Sequence, residues 1–320
     1  MKLEDIGFYT LSDDRAFHAD AYTPLWRCEL ILTDRCQFRC PYCRGVKPEL
    51  RGDLSFDEAE SIVEEWVGWE LQNIRFSGGE PTIWPGLVDL VKYTKAGLVK
   101  HIAISTNGYN KTELYDELID AGVNDFSVSL DACCSITGDS MAGNIPGAWE
   151  RVIENIQHIS KRTYVTVGVV LTDDNIEEMV ETVYLASSLG VADIRLISVA
   201  QDNRHLQVNI KEEILDKHPI LKYRINNFRN GVTVRGLSET DHPKCHLVLD
   251  DMAVVKGKHF PCIIYLREWG EAIGKVGEDM REERWKWFLE HNSYEDPICR
   301  KNCLDVCRDY SNRVRELRQL

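Results

Sequence analysis

A regular alternation of short apolar segments with amphipathic segments is the feature that most constrains the fold of this chain. The apolar segments predict six strands, at residues 28–34, 73–79, 101–108, 125–132, 164–172 and 193–200. The amphipathic segments predict five intervening helices, at residues 55–71, 85–97, 111–122, 147–159 and 175–190. Strands and helices that alternate in units of roughly 30 residues are typical of parallel βαβ units with right-handed crossovers. The sequence therefore predicts an α/β fold, and the periodicity leaves open whether the sheet is doubly wound or forms a barrel.

After residue 200 the alternation ends and the chain becomes more irregular. The remaining predicted elements are a helix over 210–228 interrupted at Pro219, a strand over 231–237, and a β-hairpin over 246–262 that turns at Asp250-Asp251. This change of pattern predicts a domain boundary near residues 235–242. We therefore divide the chain into an N-terminal extension (1–25), a core (26–238) and a small C-terminal domain (239–320).

Charge and hydropathy limit the partners that we expect. The chain has 38 Lys and Arg residues against 52 Asp and Glu residues, a formal net charge of −14. Nucleic acid is therefore an unlikely main partner, because phosphate backbones are bound by Lys and Arg. The N-terminus "MKLEDIGFYTLSDD" lacks the apolar region of a signal peptide, and we find no long apolar segment that would span a membrane. We expect no membrane partner and a cytoplasmic location.

Eleven cysteines are many for a chain of 320 residues. They are Cys28, Cys36, Cys40, Cys43, Cys133, Cys134, Cys245, Cys262, Cys299, Cys303 and Cys307. The odd number and the absence of a secretion signal argue against a disulfide framework and favour metal binding or redox chemistry. One group lies near the N-terminus and another near the C-terminus, so we treat them as separate sites.

Cys36, Cys40 and Cys43 follow the first predicted strand with the spacing C-x3-C-x2-C. The loop after a strand lies at the carboxyl edge of a parallel sheet, where ligands bind. Three thiolates on one loop can converge on a single zinc ion or on an iron–sulfur cluster. Zinc usually takes a fourth protein ligand nearby, whereas three cysteines leave one iron of a [4Fe–4S] cluster open for an exogenous ligand.

The stretch "CQFRCPYC", with Tyr42 before the third cysteine, resembles the signature of the radical S-adenosylmethionine (radical SAM) superfamily. The resemblance implies that the amino and carboxylate groups of SAM chelate the open iron. It further implies that an electron from the cluster cleaves SAM to a 5′-deoxyadenosyl radical, which abstracts a hydrogen atom from the substrate. A zinc half-site is the alternative interpretation.

Three further motifs close the second, third and fourth predicted strands: "SGGEP" (77–81), "STNG" (105–108) and "SVSLDA" (127–132). They resemble strand-end motifs of the branch that contains molybdenum-cofactor GTP cyclases and peptide-modifying enzymes. The resemblance implies a partial (β/α)6 TIM-type barrel in which Glu80 is the charge partner of the SAM ammonium. The residues that it implies for SAM binding are Tyr42, Gly78, Gly79, Glu80, Pro81, Ser105, Asn107, Ser129 and Asp131. Read without the resemblance, the last four are strand-end or turn residues.

The C-terminal cysteines form the second group. Eleven residues separate Cys245 from Gly257 and four separate Gly257 from Cys262, which resembles the element that opens SPASM and twitch domains. The resemblance implies one auxiliary [4Fe–4S] cluster, ligated by Cys245, Cys262 and two of Cys299, Cys303 and Cys307, with the last two favoured. Three ligands and an open iron that binds substrate are the alternative. If 299–307 is one helix, the last three cysteines instead share one face as a buried stripe.

Cys133 and Cys134 follow Asp131 at the expected mouth of the barrel. One of them is a candidate donor of a hydrogen atom to a substrate radical, as in radical SAM epimerases. The alternative is that both thiols only pack in the loop.

The sequence says little about the substrate. We expect a ribosomal peptide that is crosslinked, converted to a thioether or epimerised. The alternatives are the dehydrogenation or epimerisation of a small sugar or aminocyclitol, the modification of a nucleotide as in the GTP cyclases, and a non-enzymatic iron–sulfur or zinc-binding scaffold. A radical SAM enzyme further implies an electron donor of the flavodoxin or ferredoxin type.

Overall fold

One sheet organises the part of the chain that this computed structural model describes, which is residue 20 and residues 22–199 and 208–318. Within it, nine strands lie in the order β6-β5-β4-β3-β2-β1-β7-β8-β9. The strands are β1 (Arg27–Ile31), β2 (Asn73–Ser77), β3 (His101–Thr106), β4 (Asp125–Ser129), β5 (Tyr164–Leu171), β6 (Asp193–Ser198), β7 (Asp251–Val255), β8 (Lys258–Phe260) and β9 (Gly274–Lys275). The strands β1 to β6 pair in parallel with their neighbours, so the predicted partial barrel is confirmed.

Twelve helices accompany the strands in the same described residues. They are α1 (Phe56–Gly68), α2 (Leu87–Ala96), α3 (Thr112–Ala121), α4 (Ser135–Met141), α5 (Ala148–Ile159), α6 (Met179–Ser188), α7 (Glu212–Leu215), α8 (Pro219–Arg229), α9 (Ile263–Arg267), α10 (Met280–Glu290), α11 (Pro297–Asn302) and α12 (Asp305–Arg318). Each of the five predicted helices of the barrel is present, and Pro219 begins α8 because proline suits the first turn of a helix. None of these helices has the length and apolar character needed to cross a membrane.

The core lies between the sheet and the helices that follow its strands. Every residue of β2 and of β7 is buried, as expected for parallel strands that are covered on both faces. Large apolar side chains such as Trp66 of α1 and Phe76 of β2 pack in one continuous cluster. This packing fixes the strand ends, from which the loops with the cysteines and polar motifs emerge.

The C-terminal region continues the barrel sheet. The strand β7 pairs in parallel with β1, and β8 and β9 extend the sheet in antiparallel fashion. The sheet thus contains strands from both sides of the predicted domain boundary between residues 238 and 239. The division of the chain into these domains stays a prediction. Most of the predicted extension 1–25 lies outside the described residues, as does Ala200 at the end of a predicted strand.

Two local predictions were wrong. The hairpin turns at Lys256-Gly257, both at positive φ (50° and 66°) as a two-residue hairpin turn requires, and not at Asp250-Asp251. Asp251 instead begins β7, where its carboxylate pairs with Arg27. The predicted strand 231–237 is reduced to one bridge between Arg235 and Leu304, because the neighbouring backbone bonds to the 300–303 segment.

Candidate active site and metal centres

The three N-terminal cysteines lie on the loop after β1, as predicted, and line a cavity at the carboxyl end of the barrel strands. The cavity, together with its opening to solvent, has a volume of about 1490 Å³. Seven of the nine residues predicted to bind SAM line it too: Tyr42, Gly78, Gly79, Ser105, Asn107, Ser129 and Asp131. The fold therefore brings the cysteine loop and the three strand-end motifs to one site.

The environment of these thiols favours a bound cation. Cys36 Sγ accepts hydrogen bonds from the Phe38 backbone N–H at 3.3 Å and from Asn107 Nδ2 at 3.6 Å. Burial is the main cause that raises the pKa of Cys40 to about 12. The negative charges of Asp131, Cys43 and Cys36 add to this rise. Burial also raises the pKa of Cys36, and a bound metal centre would oppose both shifts by stabilising the thiolates. The donor set therefore fits an iron–sulfur cluster with one open iron.

Gly78 and Gly79 pack against the backbone of the cysteine loop. A Cβ atom would lie 2.5 Å from the Thr33 carbonyl oxygen at Gly78 and 2.3 Å from the Arg35 carbonyl oxygen at Gly79. The same carbonyls accept hydrogen bonds from the N–H groups of Gly79 at 2.7 Å and of Glu80 at 2.8 Å. The sequence predicted glycines for close approach to a ligand, and the structure shows that their first requirement is close approach to the loop that carries Cys36.

Glu80 lies beneath the cavity. Its fully buried carboxylate accepts hydrogen bonds from the Thr82 N–H and hydroxyl, from the Thr106 hydroxyl, and at 2.6 Å from the Asn107 N–H. Burial raises the pKa of Glu80 and these hydrogen bonds oppose the rise. Glu80 and Pro81 are not among the residues that line the cavity, and the pairing of Glu80 with the SAM ammonium stays a prediction. Through these hydrogen bonds Glu80 joins the ends of β2 and β3.

Tyr42 and Asp131 contact each other across the cavity. The Tyr42 hydroxyl donates to Asp131 Oδ2, and the Val170 backbone N–H donates to Oδ1 at 2.7 Å. Burial raises the pKa of Asp131 to about 6 against the effect of these donors. The contact fixes the cysteine loop to the end of β4, where Ser129 is exposed to the cavity.

Charged residues on the cavity floor were missed by the sequence analysis. Arg195 of β6 donates to the Ser127 hydroxyl at 2.8 Å, while Glu29 of β1 accepts from the Ser77 hydroxyl at 2.7 Å. Burial and the nearby charges of two arginines lower the pKa of Arg195 to about 10. The available signal was a charged residue inside an otherwise apolar strand, as in "CELILTD" and "DIRLISVA".

All five C-terminal cysteines line a second cavity, of about 610 Å³. None of the five forms a disulfide. Burial is the main cause that raises the pKa of Cys303, and repulsion by the other cysteines of the cavity adds to it. Cys262 caps the start of α9, where its Sγ accepts from the Tyr265 N–H at 3.4 Å. The helix α11 ends at Asn302 and α12 begins at Asp305, so Cys299, Cys303 and Cys307 do not lie on one continuous helix. The alternative of a buried cysteine stripe on one helix is therefore wrong. Five thiols around one void fit an auxiliary iron–sulfur cluster.

His291 was also missed. Its Nε2 lies 3.6 Å from Cys299 Sγ, and its ring stacks on Trp287 with centroids 3.8 Å apart. The contact gives Cys299 a polar partner on the wall of the second cavity. The cysteine spacing in the sequence does not indicate this contact, because His291 lies eight positions before Cys299 and the loop between α10 and α11 separates the two residues.

The helix α9 separates the two cavities. Ile264 lines both of them. At the end of α9, the Arg267 guanidinium donates to the Gly78 carbonyl at 2.7 Å and to the Gly45 carbonyl at 2.9 Å. One short helix therefore connects Cys262 to the "SGGEP" motif.

Cys133 and Cys134 are not among the described residues that line the cavity of the cysteine loop. They lie on the rim after β4, half-buried, and face Glu178. Their role as hydrogen-atom donors stays a prediction.

Comparison with known proteins agrees with this geometry. The model of the Radical SAM superfamily matches residues 30–186. The AdoMet-dependent heme synthase of Methanosarcina barkeri (strain Fusaro / DSM 804) is 34% identical over 164 residues, 50% of this chain and 46% of the relative. A GTP 3′,8-cyclase of Synechococcus elongatus is 32% identical over 134 residues, 39% of this chain and 41% of the relative. The chain thus spans less than half the length of these two curated relatives.

A solved structure shares the fold beyond the matched segment. The Streptococcus suis protein SuiB, bound to the precursor peptide SuiA, superposes with a TM-score of 0.60 at 16% identity, over 87% of this chain and 66% of SuiB. At this identity the likeness concerns the fold alone. The matched segment begins in β1 and ends in α6, so it contains the cysteine loop and all three strand-end motifs. Residues 30–186 therefore form a radical SAM domain, and the enzymes of this superfamily use SAM and a [4Fe–4S] cluster.

Proposed function

We propose that Cys36, Cys40 and Cys43 ligate a [4Fe–4S] cluster and that the chain uses it to cleave SAM reductively and abstract a hydrogen atom from a substrate. The observation that carries the proposal is the single cavity lined by the three thiols and by residues of all six barrel strands. When bound, the cluster supplies the electron that converts SAM to a 5′-deoxyadenosyl radical.

The residues around the cysteines orient and enclose this chemistry. Asn107 and the Phe38 N–H donate to Cys36 and stabilise negative charge on its sulfur. Tyr42 and Asp131 hold the loop against β4, and Gly78 and Gly79 hold it against β2. We assign SAM to the cavity side of these residues, with Ser105 and Ser129 as further polar contacts.

We assign an auxiliary [4Fe–4S] cluster to the second cavity, with Cys245 and Cys262 as two of its ligands. Cys299, Cys303 and Cys307 also line that cavity, and either two of them complete the ligand set or one iron stays open for substrate. The adjacent position of the two cavities, with Ile264 in the wall between them, supports transfer of an electron from the radical site to the auxiliary cluster. A flavodoxin- or ferredoxin-type donor in the cytoplasm would supply the electron for SAM cleavage.

For the substrate we propose a ribosomal peptide. The fold shared with SuiB in its complex with a precursor peptide supports this class. The cavity is open to solvent, so a side chain of a bound peptide could enter it.

A nucleotide or another small anion is the second candidate. Three arginines, Arg44, Arg195 and Arg267, line the same cavity and would suit a phosphate or carboxylate. The likeness to a GTP 3′,8-cyclase supports this alternative.

Anaerobic reconstitution tests the radical chemistry. With SAM and dithionite the chain should form 5′-deoxyadenosine and bind about eight irons, which corresponds to two four-iron clusters. The triple variant Cys36→Ala/Cys40→Ala/Cys43→Ala should keep roughly half of that iron and form no 5′-deoxyadenosine. The double variant Cys133→Ser/Cys134→Ser is the matched control for iron content, which it should leave unchanged. A fully loaded protein that does not cleave SAM would refute the proposal.

The substrate class is tested by supplying candidate substrates to the reconstituted enzyme. A peptide fraction from the host cell should accelerate 5′-deoxyadenosine formation and yield peptides that have lost hydrogen or have been epimerised. Acceleration by GTP or another nucleotide, with no effect of the peptides, would favour the second candidate instead.

A further inference from the structure

Three donor atoms meet on the rim of the barrel, outside both cysteine-lined cavities. They are Cys133 Sγ, Cys134 Sγ and a carboxylate oxygen of Glu178, and all lie within 4.8 Å of one another. Glu178 Oε2 lies 3.4 Å from Cys133 Sγ and 3.9 Å from Cys134 Sγ. All three side chains are half-buried, so the group is sheltered and still open to solvent on one side.

These distances match the edges of a tetrahedral zinc site. Zinc binds thiolate sulfur at about 2.3 Å and carboxylate oxygen at about 2.1 Å, which places sulfur and oxygen about 3.6 Å apart at a tetrahedral angle. The two observed separations lie on either side of this value. Two thiolates and one carboxylate are donors that zinc accepts, and they leave a fourth position for water.

The carboxylate is oriented by contacts that do not depend on a metal. The Thr137 hydroxyl donates to Glu178 Oε1 at 2.5 Å, which leaves Oε2 facing the two thiols. Nearby, Asn175 Nδ2 donates to the carbonyls of Asp131 and Val170, both at 2.8 Å. The rim loop and the start of α6 are thus already held together, so the ligands need little rearrangement to bind an ion.

We propose that Cys133, Cys134 and Glu178 form a zinc site that fastens the loop after β4 to the start of α6. The site is separate from the two iron–sulfur centres and goes beyond the proposed function. It gives the two adjacent cysteines, which are not among the lining residues of the cavity of the cysteine loop, a role other than hydrogen-atom donation.

Proton release should accompany binding. Burial and the Glu178 carboxylate raise the pKa of Cys133 to about 11, so its thiol is protonated at neutral pH before the ion binds. Zinc displaces the proton of the Cys133 thiol, and the affinity should therefore increase with pH.

The test uses the full chain with its iron–sulfur clusters reconstituted, so that iron occupies the other cysteines. The protein is equilibrated anaerobically with ZnCl₂, desalted, and measured for zinc content and for zinc K-edge absorption. We expect about one zinc per chain, with sulfur neighbours near 2.3 Å and lighter neighbours near 2.0 Å. The iron content should be the same before and after the addition of zinc.

The variants separate this site from adventitious binding. Cys133→Ser/Cys134→Ser should abolish the zinc–sulfur signal, and Glu178→Gln should weaken zinc binding at least tenfold. Glu177→Gln, which alters the neighbouring exposed carboxylate in the same turn, is the matched control and should bind zinc normally. Thr137→Val removes the hydroxyl that donates to Glu178 Oε1 and lies 3.6 Å from Cys134 Sγ, and it should weaken binding by about tenfold.

Alkylation of the unsubstituted protein gives a readout that does not depend on folding of the variants. Iodoacetamide should label Cys133 and Cys134 in the zinc-free holoprotein, and zinc should protect both from labelling. Zinc that stays bound to the double variant, zinc without sulfur neighbours, or labelling that zinc does not change would each overturn the proposal.

Discussion

The buried Glu80 carboxylate accepts the backbone N–H of Asn107 at 2.6 Å, and the Asn107 side chain donates in turn to Cys36 Sγ. Two hydrogen bonds thus link a carboxylate at the end of β2, through the end of β3, to a sulfur of the cysteine loop. The Thr82 and Thr106 hydroxyls occupy the other carboxylate oxygen. Glu80 is therefore a positioning residue for the cavity, although it does not line it.

The variant Glu80→Gln should weaken this arrangement. All four groups that bond to the carboxylate are donors, so the amide NH₂ of glutamine must face at least one of them. A buried donor left without an acceptor costs about 1–3 kcal/mol. We expect a lower Tm and about tenfold weaker SAM binding, measured by thermal unfolding and by equilibrium dialysis.

Glu113→Gln, at an exposed position of α3, is the control for Glu80→Gln. It should change neither quantity. Unaltered SAM affinity and Tm in Glu80→Gln would show that Asn107 is positioned by other contacts.

Asn107→Leu tests the contact with sulfur. Hydrogen bonds to cysteine sulfur stabilise the reduced, more negative state of an iron–sulfur cluster. Loss of one such bond, worth about 1 kcal/mol, should lower the midpoint potential of the radical-site cluster by about 40 mV. The measurement is an anaerobic redox titration followed by electron paramagnetic resonance.

The auxiliary cluster of the same variant is an internal control, since Asn107 contacts only the first cavity. Its potential should stay constant. A radical-site potential that does not move, with SAM binding intact, would argue against a working Asn107–sulfur contact.

The alternation of strands and helices predicted the α/β fold because burial leaves a direct pattern, whereas the partial barrel was implied by the resemblance to the radical SAM superfamily. Short segments with buried apolar residues mark the strands β1 to β6, and an apolar face marks each helix, so the alternation of the two patterns reveals the order of elements. The cysteine loop was also predictable from the sequence. It follows a predicted strand directly, and its three cysteines lie within eight consecutive residues.

Features that depend on distant parts of the chain were not predictable. Gly78 and Gly79 were assigned to a ligand, yet the backbone that they approach, at Thr33 and Arg35, lies more than 40 positions away. The hairpin turn was assigned to two aspartates because aspartate favours turns. The pairing of Asp251 with Arg27 draws that residue into β7 instead, and only the folded sheet brings the two together.

Arg195→Gln tests whether the cavity floor binds an anionic group of the substrate. If the nucleotide or another anion is the substrate, loss of the guanidinium should remove a charged hydrogen bond worth about 1.5–3 kcal/mol and raise KM about tenfold or more. SAM cleavage without substrate should continue. Steady-state kinetics with the identified substrate provide the measurement, and Arg229→Gln on the exposed part of α8 is the control. An unchanged KM would remove Arg195 from the substrate site.

His259 gives a prediction about pH that does not involve either cavity. Its Nδ1 lies 3.2 Å from Arg284 Nη1, and its Nε2 lies 2.9 Å from Glu283 Oε2. Because arginine can only donate, Nδ1 must be an acceptor and the ring must be neutral, with its proton on Nε2. Burial and the charge of Arg284 lower the pKa of His259 to about 3.

The folded pKa lies below the value near 6.5 that is usual for an unfolded chain. Below pH 6.5 the unfolded state therefore binds a proton that the folded state refuses, and stability falls as the pH falls, by at most about 1.4 kcal/mol per pH unit until the folded pKa is reached. His259→Gln removes this contribution while it keeps a donor and an acceptor in the ring's place. The variant should be less stable than the parent at pH 7.5, and the difference in Tm between them should shrink towards pH 5.5. A difference that stays constant over this range would mean that His259 takes up a proton in the folded protein as readily as in the unfolded chain.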